Sequence, residues 1–217
     1  MLTIYGFEVS SPSNKVRYVA NALGIAYDYK RVNLQAGENK TEAYLKLHPA
    51  GKVPVLQDGD FVLFESNAII QYLADKESSN FYPKDRRRRA IVDQWLDFAS
   101  LHIGTAIGRV FVNRVAYKIL NLEKDERSLQ DGLAFLARFL PVLEGQLSKN
   151  AFLAGPETTL ADFALLSNLD PAEIASVDLT PYPHLKRWQA GLMAKDFYQK
   201  CFPSYTQMLT ELAQKKG

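Results

Sequence analysis

Cysteine is nearly missing from this chain: Cys201 stands alone among 217 residues. No internal disulfide framework can form, and the composition suits a reducing compartment. Charge of neither sign dominates. Lys+Arg number 26 and Asp+Glu 24, a net +2, which gives no reason to expect a polyanionic partner. No apolar run approaches the roughly 20 residues a membrane-spanning helix needs. No charged leader followed by an apolar stretch precedes the strand-like residues beginning at Leu2. Internal repeats and low-complexity blocks are also absent. The expectation is a cytoplasmic globular protein without membrane or nucleic-acid partners, and its 47% apolar content is ordinary for a chain that buries a core.

Two patterns divide the chain. LTIY (Leu2–Tyr5) is a short apolar run, followed by Val16, Val19, Ala20 and Leu23 at helical spacing and by Gly24, a helix stop. Tyr27–Leu34 is aromatic and β-branched and predicts a second strand. Strand, helix and strand form a βαβ unit with parallel strands. A short helix is expected over Lys40–Leu47. VPVL (Val53–Leu56) and FVLF (Phe61–Phe64) flank QDGD, an Asp-Gly hairpin signal, and a helix is expected over Glu65–Lys76. The order βαβαββα describes a small mixed sheet with helices on both sides. The polar stretch KESSNFYPKD then interrupts all periodicity. Only helical patterns follow, including a leucine stripe from Leu129 to Leu147, a capping-box shape at Thr159–Asp162, and a helix start marked by Pro181 and Pro183. The terminal KKG is expected to fray. This predicts an α+β domain over 1–77, a linker over 78–85 and an all-α domain over 86–217. RRRR (Arg86–Arg89) could suggest nucleic acid. With no aromatic stacking platforms nearby, a solvated first helical turn is the expectation.

The chemistry concentrates in the first third. VSSPSNKVR (Val9–Arg17) sets Ser10, Ser11 and Ser13 around Pro12 where a helix begins. A helix N-terminus offers unpaired N–H groups and partial positive charge. A hydroxyl there can donate to an anion such as a thiolate, and it can equally cap the helix. Val53-Pro54 is a candidate cis bond that would leave the Val53 backbone free to pair with an extended peptide; an edge strand opening on proline is the simpler alternative. Glu65 and Ser66 open a helix that could hold a carboxylate, and Lys40 and Lys52 could hold another. Together these describe a groove for a short extended peptide with a carboxylate at each end and a thiol between.

The chain resembles the cytosolic glutathione transferases over nearly its whole length. The residues that carry the resemblance are SSPSNKVR, GENKTEAYLKLHPAGKVPVLQDGD (37–60), LFESNAIIQYLADK (63–76), FLAGPETTLADF (152–163) and YPHLKRW (182–188). The resemblance implies a thioredoxin-like N-terminal domain that binds glutathione as co-substrate. It also implies an all-helical domain lining an apolar electrophile pocket, a homodimer, and no metal. It assigns the thiolate-steadying hydroxyl to Ser10, with Ser11 as second choice and Tyr5 a weaker candidate. It matches Val53 and Pro54 to the cysteinyl unit, Glu65 and Ser66 to the γ-glutamyl end, and Lys40 and Lys52 to the glycyl carboxylate. Asn39 stands where plant-like serine members often have histidine. Asp97 lies near where some members reach across a dimer to the glutathione amino group. His102, Ala106, Arg109 and Val110 are the candidate electrophile-pocket residues.

SSPSNKVR also suggests a bacterial serine-type member with a zeta-like SSxS motif. Pro12, where the zeta motif has cysteine, and Glu65, where glutamine is usual, weaken an isomerase reading. The expected activity is conjugation of the glutathione thiolate to an electrophile. The rivals are a maleylacetoacetate-type isomerase or disulfide reductase on the same groove, and a non-catalytic binder of ligands or proteins. Cys201 is expected to be a buried small residue rather than a nucleophile.

Overall fold

The computed structural model describes residues 1–120, 122–201 and 205–206. Strand β1 (Leu2–Gly6) leads into helix α1 (Ser11–Ala22) and returns as β2 (Tyr27–Arg31), which pairs parallel to β1 from Leu2↔Tyr27 to Gly6↔Arg31. A 3-10 turn (Glu38–Lys40) and a one-turn helix α2 (Glu42–Leu45) follow, then the hairpin β3 (Val55–Asp58) and β4 (Phe61–Phe64), and helix α3 (Ser66–Lys76). The sheet order is β2-β1-β3-β4, with β3 antiparallel to both neighbours. This is the thioredoxin-like arrangement.

The first strand of the hairpin sits two residues later than VPVL suggests, while the second coincides with FVLF. Pro54 has no N–H to give a ladder, so pairing starts at Val55. Gln57 and Asp58 join the strand, and the turn shrinks to Gly59-Asp60, with Gly59 at φ +65. The Lys76 ammonium pairs with Asp58 and ties the hairpin to the end of α3.

Residues 77–85 carry no regular element. The second part is helical: α4 (Arg86–Asp97), a π-helical stretch (Phe98–Gly104), α5 (Thr105–Phe111), a second π-helical stretch (Val112–Ala116), α6 (Tyr117–Leu120), α7 (Glu126–Leu147), α8 (Leu160–Leu169), α9 (Pro183–Met193) and α10 (Asp196–Gln199). The arginine run is the first turn of α4, capped by Asp85. Arg88 pairs with Glu157, and Arg89 pairs with Asp75 and stacks over Tyr82. These contacts give the run a structural use. The KKG tail lies outside the described residues. Among the described residues, no helix is long and apolar enough to cross a membrane.

Helix α8 is buried along its whole length, and α1 packs against it. Tyr18 of α1 donates to Asp170, just past the end of α8, at 2.7 Å; Tyr198 donates to the same carboxylate at 3.3 Å. Burial holds the Asp170 carboxyl well above the usual carboxylate range. One apolar core therefore runs from the sheet through α1 and α3 into α8. The head of α1, where the serines lie, is set against rigid neighbours on both sides.

Candidate active site

The loop entering α1 is held by that helix's own polar residues. Ser13 Oγ accepts from the Phe7 N–H (3.3 Å), and the Asn14 side chain donates to Glu8 O (2.8 Å). Arg17 stacks on Tyr29 and donates to Cys201 O (3.1 Å). Ser13 and Asn14 are fully buried, so the loop cannot shift without losing these partners. Ser10 is the N-cap: its Oγ accepts from the Ser13 N–H at 3.4 Å. The cap uses a lone pair and leaves the hydroxyl proton available to donate. Pro12 has no N–H, which leaves the Ser11 N–H as the first-turn donor without a partner among the described residues. Ser11, not Ser10, lines the adjoining cavity of about 520 Å³. Both serines are half-buried.

The facing wall comes from the start of α3. Glu65, Ser66 and Asn67 line the same cavity, and Lys15 of α1 reaches Ser66 and Asn67 across it. Glu65 has φ +69 and ψ +111, a conformation few non-glycine residues adopt. Such outliers persist where surrounding structure over-determines them, and they concentrate at ligand sites. Nothing in the sequence flags it. Asp97, at the end of α4, lines this same chain's cavity.

The stretch of helix that carries the electrophile-pocket candidates meets this cavity on a different face. Among the described lining residues, Ser100, Leu101, Gly104, Thr105, Ile107, Gly108 and Phe111 come from this stretch of helix. His102, Ala106, Arg109 and Val110 do not line the cavity. Ala106, Arg109 and Val110 face α7, where a Cβ on Gly132 would lie about 3 Å from each of them. His102 packs on Phe139 and Phe98. The stretch Phe98–Gly104 is π-helical, with i→i+5 bonding, and Asn168 donates to Ala99 O there at 2.9 Å.

The remaining candidates do not line this cavity. The Val53-Pro54 bond is cis. The Val53 N–H has no partner among the described residues. Lys40 and Lys52 are exposed on two loops held together by Asn39, whose amide donates to Gly51 O. Tyr44 donates to Lys52 O at 2.8 Å. The Tyr5 hydroxyl donates to Gln57 (3.0 Å), inside the sheet. Cys201 is half-buried and accepts from Asn21 at 3.3 Å, and burial pushes its thiol up to about 11. A thiol so rarely ionised is a poor nucleophile. Alkylation by iodoacetamide at pH 8 should therefore be slow in the native protein and fast in urea; equal rates would contradict this environment. Among the described residues no cluster of three or more metal-ligating side chains occurs.

The fold and cavity agree with the comparisons. Residues 1–75 match the N-terminal domain of glutathione S-transferases and residues 93–196 match the C-terminal domain. Glutathione S-transferase 3 of Zea mays is 33% identical over 205 residues, 92% of each chain. Glutathione S-transferase D7 of Drosophila melanogaster is 30% identical over 223 residues, covering 99% of this chain and 92% of its own. A solved theta-class glutathione S-transferase from Xanthomonas axonopodis pv. citri, with glutathione bound, superposes with a TM-score of 0.84 at 31% identity, covering 92% of this chain and 95% of the other. The chain belongs to the glutathione S-transferase family.

Proposed function

We propose that the protein is a glutathione transferase that conjugates the glutathione thiolate to small apolar electrophiles. The observation that carries this reading is the cavity between the serine-bearing head of α1 and the Glu65–Ser66 head of α3, in a member of this family. In the mechanism, glutathione lies extended between the two heads, its cysteinyl unit pairs with the Val53 backbone, and its thiol faces α1. Ser10 donates its free proton to the sulfur, and Ser11 adds its N–H and hydroxyl beside it. A helix N-terminus favours an anion. The thiol proton leaves to solvent, the thiolate forms a bond to the electrophilic carbon, and the leaving group departs with its electron pair. Lys40 and Lys52 are the candidates for the glycyl carboxylate, and Glu65, Ser66 and Asp97 for the γ-glutamyl end.

The electrophile half is formed by Leu101, Ile107, Gly108 and Phe111. A Cβ at Gly108 would meet open space, so the cavity can be filled there without overpacking the fold. Gly108→Ile should cut kcat/KM for an aryl halide at least tenfold, the order expected when pocket volume is lost, while the Kd for glutathione stays within twofold. Equal loss of both would remove Gly108 from the electrophile side.

A bacterial, zeta-like placement rests on the SSPS motif, and the relatives named above are a maize and a fly transferase and a bacterial theta-class structure. We therefore keep the serine chemistry without that subclass. A homodimer in the cytoplasm is proposed on family grounds. Phe61 and Phe64 are exposed on the edge strand β4, which is where an apolar contact would be available. Light scattering after size exclusion tests it. Retention on immobilised glutathione followed by an electrophile panel tests the activity. Turnover of an aryl halide supports conjugation. Turnover of only a cis-dienoic diacid or a dialkyl disulfide supports the rival enzymes, and retention without turnover supports a binding protein.

A further inference from the structure

Contacts from the far end of the chain follow α1 from its tail to its head. The Asn21 side chain donates to Phe197 O (3.0 Å) and Arg17 donates to Cys201 O (3.1 Å). The Tyr205 hydroxyl then donates to Val9 O at 2.7 Å, one residue ahead of the Ser10 cap. Tyr205 is 3% exposed and lines the cavity together with Val9 and Ser11. The carbonyls of Phe7, Glu8 and Val9, in the loop between β1 and α1, each have a donor. Phe7 O receives the Ser10 N–H (2.9 Å) and Glu8 O the Asn14 amide (2.8 Å), so these two bonds are local. Val9 O takes its donor from 196 residues further along the chain. The Val9 C=O and the Ser10 N–H belong to one planar peptide group. That plane is held at both edges, by Phe7 on one side and Tyr205 on the other. Its tilt sets the backbone angle φ of Ser10, and with it the direction in which the Ser10 hydroxyl leaves the chain. Burial raises the Tyr205 phenol pKa, so the hydroxyl stays a donor through the neutral range.

We propose that Tyr205 is a positioning residue for thiolate stabilisation: its hydroxyl, through the Val9 carbonyl, fixes the angle at which Ser10 presents its proton to the sulfur. The inference rests on the reading of Ser10 given above and adds to it a residue from the opposite end of the chain. The thioredoxin-like part supplies the serine, and the helical part supplies the brace that aims it.

The test titrates the thiolate absorbance of bound glutathione in the wild type, Tyr205→Phe, Ser10→Ala and the double variant, with melting temperatures measured beside it. Tyr205→Phe deletes one oxygen and keeps the ring. It should raise the bound thiol pKa by about half a unit, about threefold in ionisation, the scale of one neutral hydrogen bond. In the Ser10→Ala background the same change should move it by less than about 0.2 unit, because a residue that acts through Ser10 has nothing left to aim. Tyr205→Met carries the same cycle should the phenylalanine variant not fold. A thiol pKa unmoved by loss of the phenol, whatever the melting temperature does, would make Tyr205 a support for the fold and overturn the proposal. Equal shifts in both backgrounds would also overturn it, since the phenol would then reach the sulfur by another route. A wild-type complex whose thiol ionises like free glutathione would overturn the Ser10 reading itself, and the positioning role with it.

Discussion

Asp162→Asn should lower the melting temperature by about 10 °C, near 3–4 kcal/mol for a chain of this length. The Asp162 carboxylate is fully buried at the start of α8 and accepts four hydrogen bonds. Oδ1 receives the Leu153 N–H (3.0 Å) and Trp188 Nε1–H (3.0 Å). Oδ2 receives the Thr159 N–H (2.9 Å) and Thr159 Oγ1–H (3.1 Å). Asparagine keeps the shape but has one acceptor oxygen, and its NH₂ would face two donors. Two buried donors would be stranded at about 1–3 kcal/mol each. Because α8 is the buried central helix, the loss reaches α9 through Trp188 and the turn at Leu153. Calorimetry checks it, and a shift under 3 °C would contradict the geometry. Burial outweighs the four donors and pushes the Asp162 pKa up to about 6. Between pH about 4 and about 6, the folded carboxyl keeps a proton that the unfolded chain has released. Its contribution to stability is thus present below that window and is lost as pH rises through it. The asparagine variant should lack this slope.

Ser10→Ala should raise the pKa of the bound glutathione thiol by about one to two units and cut turnover by about 10- to 100-fold near pH 6.5. A hydrogen bond to a charged group is worth about 1.5–3 kcal/mol, and one pKa unit is about 1.4 kcal/mol. Loss of the cap adds a stability cost of about 1 kcal/mol, which Ser10→Gly reduces to a few tenths, so the glycine variant separates the two roles. Ser11→Ala removes only the hydroxyl that borders the cavity and keeps the backbone N–H. A larger loss at Ser11 than at Ser10 would exchange their roles. Full turnover in both single variants and in the double variant would remove hydroxyl donation from the mechanism. Pre-steady-state turnover and the pH profile of kcat/KM read these outcomes.

Local pattern was enough for much of this molecule. The βαβ unit, the hairpin, the capping box at Thr159 and the helical second half follow from short-range periodicity and turn chemistry, which act over a few residues. Ser11, Glu65, Ser66 and Asp97 meet at one cavity, as the peptide-groove argument requires, because each lies at the end of an element that the sheet and α1 bring together. What the sequence does not show is long-range or conformational. The π-helical stretch at Phe98–Gly104 has no local signature, and that the face of Leu101, Gly104 and Gly108 borders the cavity depends on how this helix packs against α7. The positive φ of Glu65 is imposed by its surroundings, because glutamate has no preference for that region. Nothing in the sequence singles out Lys15, because a lysine at a helix head is ordinarily a solvated charge. Only the packing of α1 between the sheet and α8 shows that it is buried, and only the fold puts Ser66 and Asn67 on its ammonium.

The ionisation of glutathione bound to the wild-type protein tests the central chemistry most directly. Titrating the thiolate's ultraviolet absorbance in the binary complex should give a thiol pKa near 6.5, about two units below that of the free thiol, as anion-stabilising helix N-termini do elsewhere. A bound thiol that ionises at the pH of the free peptide would contradict the account, since the serines at the head of α1 would then be doing nothing to the sulfur.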